Sequence, residues 1–141
     1  MCRRVHVAIP NTPAGPAEAR HELSQQLEDL GQEVLDDLAL IVSELATNAL
    51  EARAQVIDVG VWVHHCRVEL IVTDSAPGIP APDGQEDEVR GRGLRIVEAV
   101  ADSWGVRPLP TGKALVSTLA IPRPPPPQLA DCPCQECSCR T

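Results

Sequence analysis

The chain has 141 residues and a formal net charge of −8. That length suits one compact domain plus a tail, and an acidic surface repels phosphate backbones, which argues against a nucleic-acid partner. No apolar run approaches the roughly 20 residues needed to span a bilayer, so no membrane role is expected. The apolar stretch behind Arg3 and Arg4 is too short for a signal-peptide core, and a cytoplasmic location is expected. Hydrophobic residues make up 43% of the chain, yet Phe and Tyr are absent. The expected core is therefore aliphatic, with Trp62 and Trp104 as its only aromatic members. Four of the six cysteines fall within the last ten residues, which marks them as a tail feature and not a staple for the core.

Residues 4–9 alternate polar and apolar and read as a first strand. Asn11-Thr12-Pro13-Ala14-Gly15-Pro16 breaks it, and Pro16 suits the first turn of a helix over 17–30 that stops at Gly31. A second helix is expected over 33–52, with Leu38, Ile41, Val42, Leu45 and Ala49 at helical spacing. Residues 56–63 and 68–73 read as a hairpin joined through His64-His65-Cys66-Arg67. Residues 74–90, rich in Pro, Gly, Asp and Glu, read as a mobile loop. A third helix follows over 91–102, and then two strands over 104–107 and 114–121, separated by a Pro/Gly turn. Arg123-Pro124-Pro125-Pro126-Pro127 is a stiff exit. The expectation is one domain over residues 1–122 and a disordered Pro-rich, then Cys-rich tail over 123–141. The element order implies a two-layer α/β (α+β) sandwich, with a mixed, mainly antiparallel sheet and three helices on one face.

Three segments offer chemistry. On the second helix, Glu44 and Asn48 lie four apart, about 40° from each other around the axis. They flank the apolar stripe, so they either overlook a cleft or belong to a solvated face. In Val72-Thr73-Asp74-Ser75-Ala76-Pro77-Gly78-Ile79-Pro80, an apolar strand ends in an Asp and a Gly follows four residues on. Such an Asp can accept a hydrogen bond from an exocyclic amine, and Gly lets backbone approach a flat ligand; a plain turn is the alternative. Gly91-Arg92-Gly93-Leu94 stands at the expected start of the third helix, where backbone N–H groups can receive phosphate. It does not fit the dinucleotide fingerprint, which needs Gly where Ile96 stands, and the P-loop pattern fails at Gly112-Lys113, where Arg107 stands for its first Gly and Ala114 for its Ser/Thr.

Taken in order, these segments resemble the boxes of the GHKL ATPase/kinase superfamily, whose Bergerat-type fold matches the expected sandwich. Ser43-Glu44-Leu45-Ala46-Thr47-Asn48-Ala49 resembles its N-box, Asp74 to Pro80 its adenine-binding Asp-x-x-x-Gly-x-Pro box, and Gly91 to Val97 its Gly-x-Gly-Leu phosphate helix. The phrasing is most similar to the bacterial anti-sigma-factor serine/threonine kinases and their stand-alone actinobacterial relatives. The resemblance implies ATP and Mg²⁺ as cofactors, with Asn48 giving an amide oxygen to the metal. It implies that Asp74 accepts the adenine amine, with Gly78 beside the base. Gly91, Gly93 and Leu94 would give main-chain donors to the phosphates, Arg92 would add charge, and Glu44 would be the general base. Where the family commonly places Thr just after the Gly of its final box, this chain has Lys113 and Ala114; Ser117 or Thr118 are the nearby hydroxyls.

The leading expectation is an ATP-dependent regulatory kinase that binds a sigma factor or phosphorylates an antagonist protein. The alternatives are a non-catalytic, nucleotide-dependent protein-binding module and an ATPase subunit of a larger machine. Homodimerisation is left open. The four tail cysteines, 132–139, have metal-ligand spacing, but so short a spacing strains a single closed zinc site. His21 and His64-His65-Cys66 read as an ordinary surface residue and a hairpin turn.

Overall fold

The computed structural model describes residues 3–64, 66–76 and 88–121, with residues 88–93 as backbone only. Residues 77–87 of the expected loop, with Gly78 among them, and the whole tail lie outside the described residues. Five strands and three helices follow in the order β1 (Arg3–Ile9), α1 (Gly15–Gln26), a 3-10 turn (Glu28–Leu30), α2 (Gln32–Glu51), β2 (Ile57–Val63), β3 (Arg67–Asp74), α3 (Glu88–Val100), β4 (Ser103–Leu109) and β5 (Gly112–Ala120). This is the expected element order.

The strands form one sheet in the order β1-β2-β3-β5-β4. Every described pair is antiparallel, so the parallel component allowed for in the sequence reading is absent among the described residues. Alternation along β2 and β3 sends Ile57, Val59, Val61, Val63, Val68, Leu70 and Val72 to one face, where all are buried. The helices close over that face. Leu38, Ile41, Val42, Leu45, Ala46 and Ala49 of α2 recur at three- and four-residue spacing and join the strand residues in a single core. The opposite face carries Asp58, Gly60, Trp62, Glu69, Ile71 and Thr73, which are half-buried.

Trp62 therefore departs from the expected core. It faces away from the helices, and the Arg4 guanidinium lies 4.9 Å from its ring centroid, the geometry of a cation–π contact. Trp104 does pack against the core. The difference is one of strand phase: Trp62 falls between the buried Val61 and Val63.

Two connections set the entry and exit of α2. Gly31, at φ 89°, turns the chain into the helix. At the other end Arg53 N–H donates to the Leu50 carbonyl and Ala54 N–H to the Ala49 carbonyl. That pair of bonds is a Schellman motif, with Arg53 in the left-handed region at φ 59° where Gly is usual. The β2–β3 hairpin closes tightly, His64 N–H donating to the Arg67 carbonyl. Cys66 in that turn is disulfide-bonded, and the other five cysteines lie outside the described residues. The crosslink reaches the folded domain at the hairpin turn, where His64-His65-Cys66 was expected to be a turn only.

Candidate functional site

Asp74 is the last residue of β3 and pairs with Lys113 at the start of β5. It is 8% exposed, and a carboxylate so covered needs donors around it. Two are present on the same oxygen: Ala76 N–H donates to Asp74 Oδ1 at 2.9 Å and the Lys113 ammonium at 3.1 Å. The first is an Asx-type turn, in which a side chain caps the backbone two residues on. Lys113 also donates to the Ala76 carbonyl at 3.4 Å.

Ser75 fixes the chain leaving β3. Its hydroxyl accepts from the Gln55 and Val56 N–H groups at 2.8 and 3.0 Å, and its own N–H donates to the Val56 carbonyl. Gly112 completes the corner. Its φ is +146°, and a Cβ there would run into the Asp74 carbonyl oxygen and the Ser75 Cα. Only a residue without a side chain allows β5 to begin this close to the end of β3.

Glu44 and Asn48 occupy the border of α2 between its buried stripe and solvent, and both are half-buried. Neither side chain makes a hydrogen bond among the described residues, while Ser43 beside them turns its hydroxyl back onto the Ala39 carbonyl. α2 packs against both β3 and α3, so the helix with the oxygen donors adjoins the strand with Asp74 and the helix with the glycines. An amide oxygen and a carboxylate are the hard donors that Mg²⁺ selects, and this ion commonly takes only one or two protein ligands. The residues present fit that ion. No group of three or more His, Cys, Asp or Glu side chains gathers as a metal cluster among the described residues.

α3 starts at Glu88, three residues before its expected start. Gly91-Arg92-Gly93-Leu94 therefore lies within its first two turns. An α-helical N–H is taken up by the carbonyl four residues back, so the N–H groups of Gly93 and Leu94, two of the expected backbone donors, fall to residues 89 and 90. Leu94 is 1% exposed and joins the core.

The two nearby hydroxyls, Ser117 and Thr118, lie on opposite faces of β5. Ser117 Oγ is fully buried and without a partner among the described residues, but it sits opposite Leu70, two same-face steps from Asp74. Thr118 alternates to the face of the sheet turned away from the helices, opposite Glu69. Ser75 and Lys113 belong to this corner without any local sequence motif marking them as site residues. The visible signal was a Lys directly after the Gly that faces the end of β3; its meaning depends on the β3–β5 register, which no local pattern encodes.

An antiparallel sheet with helices packed on one face is an α+β sandwich. Residues 9–118 match the family described as Histidine kinase-like ATPase domain. The chain belongs to that family, which is of the GHKL type. No curated protein matches the chain. No helix among the described residues is long and apolar enough to cross a membrane.

Proposed function

We propose that this chain is an ATP-binding regulatory protein acting as a serine/threonine kinase of the anti-sigma-factor type, which binds a sigma factor or phosphorylates an antagonist protein. The observation that carries the reading is the corner at the end of β3, where Asp74 is held with one oxygen engaged beside a Gly112 that cannot bear a side chain. Asp74 accepts the adenine amine there. Asn48 holds Mg²⁺ through its amide oxygen, and Glu44, one helical turn earlier, accepts the proton of an incoming serine hydroxyl. ATP supplies the transferred phosphoryl group. Gly78 beside the base and Arg92 near the phosphates belong to the same reading, as does the division into a domain over 1–122 and a tail.

A second reading, a nucleotide-dependent protein-binding module without catalysis, draws on one observation. No described side chain orients the Glu44 carboxylate, whereas an efficient base is normally held in place by a neighbour. The two readings separate on phosphotransfer to a partner co-purified with the full chain. The kinase reading expects labelled phosphate on a partner serine or threonine, a loss of about 10²–10⁴-fold in rate for Glu44→Gln, and little change in ATP affinity. Asn48→Ala should instead weaken Mg-ATP binding. A verified partner that binds in an ATP-dependent manner but is never phosphorylated would leave the module reading in its place.

A further inference from the structure

One charged side chain at the β3–β5 corner has no role in the reading above. Lys113 is 15% exposed in its side chain and stands directly opposite Asp74, on the face of the sheet that the helices cover. We propose that Lys113 is a positioning residue for base recognition, which ties down Asp74 Oδ1 so that Oδ2 is held as the acceptor for the exocyclic amine of a 6-aminopurine. This rests on the ATP-binding reading of the site.

The two oxygens of the Asp74 carboxylate are held differently. An ionised Asp offers acceptor sites on both, and an unconstrained carboxylate turns freely about its last torsion, which is broad and two-fold. Here both donors converge on Oδ1, the Ala76 N–H at 2.9 Å and the Lys113 ammonium at 3.1 Å. Oδ2 receives no hydrogen bond from the described residues. The backbone donor alone is a single neutral hydrogen bond. The ammonium adds a charge-assisted one and offsets the cost of covering a carboxylate that is 8% exposed.

Lys113 is in turn held by its surroundings. Its Nζ also donates to the Ala76 carbonyl at 3.4 Å, so the ammonium bridges the side chain of Asp74 and the backbone two residues on. The residue before it, Gly112, brings β5 against the Asp74 carbonyl. The lysine thus reaches Asp74 from a strand start whose position is already fixed. An amine acceptor with one defined orientation discriminates between purines that carry a 6-amino group and purines that lack it.

The test compares two nucleotides that differ only in that group, Mg-ATP and Mg-purine riboside triphosphate, titrated calorimetrically into the full-length chain. If Lys113 acts through Asp74 and the amine, Lys113→Met weakens ATP binding by about tenfold or more and leaves purine riboside triphosphate nearly unchanged. Lys113→Arg, which keeps a cation and the fold, preserves the wild-type preference for ATP. Equal losses for both nucleotides in Lys113→Met overturn the proposal, because they place the lysine on the ring nitrogens or in the fold alone. So does a Lys113→Arg chain that melts like wild type but no longer distinguishes the two. A wild-type chain that binds neither nucleotide overturns the ATP reading itself, and this proposal with it.

Discussion

Gly112 and Asp74 constrain each other across one strand boundary, and the constraint can be measured without any ligand. At φ +146° an L side chain is strained, and its Cβ would meet the Asp74 carbonyl oxygen. Gly112→Ala should therefore destabilise the fold by about 1–3 kcal/mol or more, read as a lower midpoint in urea. A midpoint equal to wild type would show that β5 can withdraw from the corner at no cost. Asp37 gives a second residue-scale case. Burial first, and then the neighbouring carboxylates of Glu33 and Asp36, push its carboxyl above the ordinary value. The folded chain then holds that proton more tightly than the unfolded chain does. Stability from this residue is full below the ordinary Asp range and falls as pH rises through the raised folded value. Asp37→Asn should stabilise the chain at neutral pH by up to about 0.5 kcal/mol, with the gain gone in acid. Thermal melts across pH decide it; a gain that persisted in acid would contradict the electrostatic cause.

At the scale of elements, α2 and α3 differ in how legible they were. The stripe of Leu38, Ile41, Val42, Leu45 and Ala49 fixes α2 through its own periodicity, and its bounds, Gln32–Glu51, are close to those expected. The start of α3 was not legible. The acidic stretch ending at Arg90 reads as loop, yet Glu88, Val89 and Arg90 are helical; acidic residues favour a helix N-terminus as much as they favour a loop. This bears on the phosphate box. With α3 starting at Glu88, Gly93 and Leu94 can offer N–H groups to phosphate only if the first turn opens. Gly93→Ala favours a closed helix by about 0.5–1 kcal/mol. It should raise the melting temperature of the ligand-free chain and weaken Mg-ATP binding, and unchanged affinity would show that the phosphates bind without opening the turn. At the far end of α2, Arg53 occupies a left-handed position that costs a side-chain-bearing residue about 1–2 kcal/mol. Arg53→Gly should raise the urea midpoint. The Asp74–Lys113 pair was hidden for a different reason: the two residues are 39 apart in sequence, and only the antiparallel register brings them together.

For the molecule as a whole, the sheet order, the single core and the match over residues 9–118 describe one ATPase domain. We expect residues 123–141 to add nothing to its stability. In reducing buffer, which also opens the Cys66 disulfide, removing them should leave the melting temperature and Mg-ATP affinity nearly unchanged; a loss of several degrees would show that the tail docks on the domain. The central claim concerns the corner at the end of β3, and calorimetric titration of the full-length chain with Mg-ATP, wild type against Asp74→Ala, tests it most directly. Wild type should bind, and Asp74→Ala should lose about 1–3 kcal/mol of affinity as the adenine amine is left without its acceptor. No heat at millimolar Mg-ATP, or equal affinity for the two chains, would contradict the account.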